Sequence, residues 1–200
     1  MEITCYVLFK LNHEFYKQFD ISKLYDGWSL QIRENILCCY NSVIPLNDET
    51  ELIATTLWGR IGLQDAFRTE SVISDFRRIR WACEPLDWVR FNEEHDRCFR
   101  FLEQQVNRST AKHIVVVTHH VPSFVLVGPV LKGRPLNGAF AVELGNYIAA
   151  SPIEYWIYGH SHRNIDKVIG NTRCVSNQLG YVFGNEHSSF NTSAYIEIID

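Results

Sequence analysis

An apolar run at residues 153–158 stops at Gly159, and His160 and His162 follow with one residue between them. A short apolar run closed by a turn residue reads as a buried strand. In extended chain, residues i and i+2 point to the same side, so the two imidazoles can aim at one point. The β-branched run Ile114-Val115-Val116-Val117 reads as a second buried strand, and past it stand Thr118, His119 and His120. A third apolar run, at residues 3–8, leads into Asn12-His13-Glu14. Five of the eight histidines therefore lie just past three strands. Open α/β sheets place their binding residues at that end. Such a chain is expected to form an α/β layered fold with its site at the carboxyl ends of the strands.

One His-x-His alone also reads as a polar loop with two exposed histidines. Three clusters at three strand ends point instead to a metal. Neutral imidazoles suit zinc, manganese or iron, and Asn12 adds an amide oxygen, a hard donor that fits manganese or iron.

Between these markers, apolar spacing predicts a helix over 19–34 (Ile21, Leu24, Trp28, Ile32), interrupted at Gly27. Strands are expected over 36–46 and 51–58, joined through Pro45-Leu46-Asn47-Asp48. Residues 59–87 read as irregular, either a short helical insertion over a site or a solvated basic face carrying Arg77, Arg78 and Arg80. An amphipathic helix is expected over 91–106, with Phe91, Cys98, Phe99, Leu102 and Val106 on one face. His113 is expected at the surface. A loop over 124–140 leads to a helix around 141–150, which Ser151-Pro152 stops. A hairpin follows, with strands around 165–169 and 173–176 and Gly170-Asn171 as its turn. A last strand is expected over 195–199. No repeat or linker divides the 200 residues, so one domain is expected.

Composition narrows the function classes. A net charge of -4 supplies no basic footprint for nucleic acid. No apolar run approaches the roughly 18 residues that a membrane span needs. The six cysteines form no Cys-x-x-Cys pair and no secretory leader precedes them, so they read as reduced thiols of a cytoplasmic protein. No closed four-ligand Cys/His set for a structural zinc is visible.

Together the three clusters resemble the motifs of the calcineurin-like metallophosphoesterases. Asn12-His13-Glu14 resembles the family's Gly-Asn-His-Glu. Thr118-His119-His120-Val121-Pro122 resembles its middle histidine motif, and Gly159-His160-Ser161-His162 matches its closing Gly-His-x-His. Order and spacing fit over essentially the whole chain. The resemblance implies an α-β-β-α sandwich and a phosphoric ester hydrolase with two divalent ions, manganese, iron or zinc. It implies Asn12, a middle-motif histidine and His160 as ligands of the second ion, and His162 as a ligand of the first. Counting from the strand favours His119 as the middle ligand; counting back from Pro122 favours His120. His13 is implied as the catalytic residue that stabilises the pentacoordinate phosphate and protonates the leaving group. The implied reaction is in-line attack on a phosphomono- or diester by a metal-activated hydroxide.

The match departs from the family at one end. Neither Asp-x-His nor Gly-Asp occurs in the chain, and Leu11 stands where a glycine is expected. The chain is thus expected to correspond to the carboxyl-terminal two-thirds of such a domain, with at most one weakly held ion and impaired turnover. A non-catalytic binding or scaffold module that keeps the fold is the alternative.

Overall fold

The computed structural model describes residues 5–8, 20–34, 36–128 and 133–198. In chain order the strands are β1 (Cys5–Leu8), β2 (Trp28–Arg33), β3 (Ile36–Tyr40), β4 (Ser42–Pro45), β5 (Thr50–Thr55), β6 (Arg80–Trp81), β7 (Glu84–Pro85), β8 (His113–Thr118), β9 (Tyr155–Ile157), β10 (Asp166–Ile169) and β11 (Thr172–Val175). The helices are α1 (Ala66–Val72), α2 (Asp75–Arg78), α3 (Trp88–Arg108) and α4 (Gly145–Ala150).

Six strands form the main sheet in the order β10-β11-β9-β8-β5-β4. Its centre is parallel: β5 pairs with β8, β8 with β9 and β9 with β11. Antiparallel β4 and β10 close its two edges. The sheet is therefore mixed, and the chain is an α/β protein. Three strands form a second sheet in the order β1-β3-β2, with β1 parallel and β2 antiparallel to β3. The chain passes from β3 into β4, and so from one sheet to the other, at Asn41, which is fully buried and left-handed (φ 43°). Its amide accepts from Thr55 Oγ1 at 2.6 Å and donates to Asp26 Oδ1 at 2.9 Å. Those two bonds hold a conformation that a non-glycine residue adopts only under constraint.

The parallel strands are buried on both faces, as crossover connections require. Val115 and Val116 of β8 and Ile53 of β5 are 0–1% exposed. Helix α3 begins at Asp87, whose carboxylate accepts from Arg90 N at 2.7 Å, an N-cap. It runs 21 residues and buries Phe91, Cys98, Phe101, Leu102 and Val106. The helix divides the core. Phe101, Leu102 and Val106 pack with Ile53, Val116, Ile148 and Trp156. Phe91 and Cys98 pack with Tyr40, Trp58, Phe76 and Ile79.

The expected α3, β8, β9 and late hairpin are present, as is β1 within 3–8. Several other expectations are corrected. Of the helix expected over 19–34, the described residues 20–34 form none: a single 3-10 turn, Ile21–Lys23, is followed by β2. The reason is Gly27, left-handed at φ 85°, whose N–H bonds Asn41 O and turns the chain back along β3. The expected strand over 36–46 is broken at Asn41 into β3 and β4. Residues 59–87 carry α1, α2 and the small β6–β7 hairpin. The helix expected around 141–150 starts only at Gly145. No strand forms over 195–198. His113 is 7% exposed rather than at the surface, with its Nδ1 2.6 Å from Glu154 Oε2. Among the described residues no helix is long and apolar enough to cross a membrane.

Candidate functional site

Strands β8 and β9 lie side by side in parallel register, Val117 opposite Ile157. The residues after each strand therefore emerge at the same end of the sheet. His119 and His120 leave β8; Gly159 and His160 come after β9. Gly159 N donates to His119 O at 3.0 Å, tying the two exits together. Just beyond, His160 is left-handed (φ 66°) and folds its ring back over the exit of β8.

The three imidazoles pack against one another. Ring centroids are 4.5 Å apart for His119–His160, 4.4 Å for His120–His160 and 5.1 Å for His119–His120. Phe140 stacks on the outer face of His160 at 5.0 Å. Trp58 stacks on His120 at 5.5 Å and Phe91 meets it edge-on at 6.0 Å. Beneath them, Trp156 Nε1 donates to Thr118 Oγ1 at 3.0 Å, and that hydroxyl donates to His120 O at 2.9 Å.

His120 is fully buried, and burial followed by the neighbouring His160 pushes its pKa well below the ordinary value for histidine. It is therefore neutral at physiological pH. Its Nδ1 lies 3.4 Å from Thr56 O. A carbonyl only accepts, so Nδ1 carries the hydrogen and Nε2 the lone pair. That Nε2 is buried and makes no hydrogen bond. Desolvated lone pairs are costly unless something meets them.

His162, also left-handed (φ 51°), turns to a different neighbour. Its ring lies edge-on to Tyr181 at 4.7 Å, and its Nδ1 is 2.9 Å from Glu186 Oε2. The structure thus brings His119, His120 and His160 together at one strand end, with His162 on the adjoining loop. Asn12 and His13 lie outside the described residues. Among the described residues, no group of three or more His, Cys, Asp or Glu side chains could hold a metal ion. The donors that are described, imidazoles of which His120 is neutral with its Nε2 lone pair unengaged, suit the nitrogen half of a mixed N/O centre. They do not complete one.

Sequence reasoning missed Trp58, Phe140 and Glu186, each of which touches a site histidine. Trp58 follows β5 and Phe140 lies in a loop, so neither shows a period. Gly180, left-handed at φ 63° and packed on Glu186, was the available signal for the last.

No family model matches the chain. Over 217 aligned residues it is 26% identical to the uncharacterized protein L509 of Acanthamoeba polyphaga mimivirus. The alignment covers 94% of this chain and 71% of that protein.

Proposed function

We propose that the chain is a metal-dependent phosphoesterase of the calcineurin-like type, acting on phosphomono- or diesters. The observation that carries the reading is the packed trio His119, His120 and His160 at the carboxyl ends of two adjacent parallel strands. Two buried histidines and a half-buried third, gathered for packing alone, would not collect at one strand end around an unengaged lone pair. The motifs Asn12-His13-Glu14 and Gly159-His160-Ser161-His162 support it from the sequence. In this reading Asn12, His160 and one of His119 or His120 are ligands of one ion, His162 is a ligand of the other, and His13 serves the leaving group. A divalent ion held there supplies an acidified water and neutralises charge on the phosphoryl oxygens. The protein's own part is to keep the His120 imidazole neutral and dry, which its burial achieves.

The chain carries neither Asp-x-His nor Gly-Asp, so no motif carboxylate is available to bridge a pair of ions. The reading therefore expects at most one ion per chain. Elemental analysis of the purified protein, alongside hydrolysis of an aryl phosphodiester with added manganese, tests it. We expect substoichiometric to single manganese and slow, manganese-dependent turnover. His160→Asn should lower both by more than the roughly 10–100-fold typical of losing an outer-shell partner. His13→Asn should lower turnover about 10²–10⁴-fold with metal content retained. Turnover unaffected by manganese or by His160→Asn sinks the proposal. One observation favours a second reading, a non-catalytic binding module of the same fold: neither motif that would bring a bridging aspartate occurs in the sequence. A chain that takes up no manganese and shows no turnover would select it.

A further inference from the structure

The loop after β11 grips His162 at two places. Gln178 Oε1 accepts from His162 N at 2.9 Å. Gln178 is itself 7% exposed and anchored: its Nε2 donates to Arg163 O at 2.9 Å and to Ser161 Oγ at 3.3 Å, and its N–H donates to Asn164 Oδ1 at 2.5 Å. These bonds fix the left-handed backbone of His162, a conformation that persists only where its surroundings impose it. The second grip is on the ring. Glu186 Oε2 accepts from Tyr181 N at 2.6 Å and lies 2.9 Å from His162 Nδ1. Gly180 lets the loop close this tightly. A Cβ there would stand 2.6 Å from Glu186 Cβ, 2.8 Å from Oε2 and 3.3 Å from His162 Cβ, and its φ of 63° disfavours any side chain.

The carboxylate is an acceptor on both sides. Oε2 already accepts the Tyr181 N–H, so the hydrogen on its line to the imidazole belongs to Nδ1. Nε2 is then the nitrogen with the lone pair. Free imidazole favours the opposite tautomer, and carboxylates behind metal-binding histidines are a recurrent device for setting tautomer, ring orientation and basicity.

We infer that Glu186 is the positioning residue of His162, holding its ring in the Nδ1–H tautomer with Nε2 presented for a divalent cation. The cation rests on the function proposed above; the tautomer does not. Loop 178–186 thereby becomes part of the site although it contains no ligand.

The test separates the two. Long-range ¹H–¹⁵N NMR of the metal-free protein at mildly alkaline pH reads the tautomer of His162. We expect Nδ1–H in the native protein and in Glu186→Gln, whose amide oxygen still accepts, and a shift towards Nε2–H in Glu186→Ala. Circular dichroism of both variants should match the native protein. Manganese titration should then show about a 10–100-fold weaker affinity in Glu186→Ala, largely restored in Glu186→Gln. An unchanged tautomer in Glu186→Ala, or Nε2–H already in the native protein, would overturn the inference. If the tautomer responds as expected but native protein takes up no manganese, the phosphoesterase reading fails and the positioning role stands.

Discussion

The Asp20 carboxylate accepts four hydrogen bonds: from Ser22 N and Oγ, from Ala82 N and from Cys83 N, at 2.7–3.0 Å. It caps the Ile21–Lys23 turn and pins the β6–β7 turn, where Ala82 and Cys83 are both left-handed (φ 50° and 74°). Burial works to raise its pKa, but these bonds outweigh it and lower the value from 3.8 to about 2. A depressed carboxylate pKa means that its stabilisation is complete above 3.8 and disappears as pH falls towards 2. Asp20→Asn should therefore cost about 1 kcal/mol at pH 7, the usual worth of an N-cap, discounted for its solvent-facing position. Urea unfolding at a series of pH values should show the two proteins converging between those limits. A gap that persists at the lowest pH would locate the effect in packing. Nothing in the sequence around Asp20 announces this role, because its partners at 82 and 83 are some sixty positions away.

At the scale of elements, the exit of β5 shows what local pattern conveys and what it omits. The apolar run over 51–58 marks a strand, but Leu57 and Trp58 have left the strand and are left-handed (φ 66° and 55°). His95 on α3 stands against their carbonyls, its Nδ1 2.9 Å from Leu57 O and 3.3 Å from Trp58 O. This brings Trp58 onto His120. Gly59 then crosses Gly138 so closely that an added Cβ would overlap the Gly138 carbonyl. Gly59→Ala must push the two segments apart, at about 1–3 kcal/mol on the usual cost of overpacking. Thermal unfolding measures it, and a melting temperature equal to that of the native protein would show that the loop yields freely. Helix α3 was legible because its buried residues recur with helical period over 21 residues. The helix expected over 19–34 failed because Ile21, Leu24, Trp28 and Ile32 share that spacing by coincidence. Ile32 is 52% exposed on β2, where pairing with β3 decides the conformation.

At the scale of the whole molecule, α3 joins both parts of the core through adjacent turns. Leu102, fully buried among Ile53, Val116 and Trp156, is the deepest test of that arrangement. Leu102→Ala should cost about 2–5 kcal/mol, read as a lower urea midpoint. The α/β class and the strand-end histidines were legible because both arise from short apolar runs that stop at polar residues. The clamp around His162 was not, because loop-to-loop hydrogen bonds obey no period. The parallel pairing Thr50↔His113 and Val115↔Tyr155 has a consequence for how the molecule comes together. Each pairing must close a loop of some forty to sixty residues before it is repaid by any contact, and topologies of this kind fold slowly. His119 and His160 meet only once the second of those closures is made. On the function proposed above, a cation supplied to the unfolded chain would therefore find nothing to nucleate around; it would slow the reverse reaction, as a latch fitted after the door is hung, without speeding the forward one.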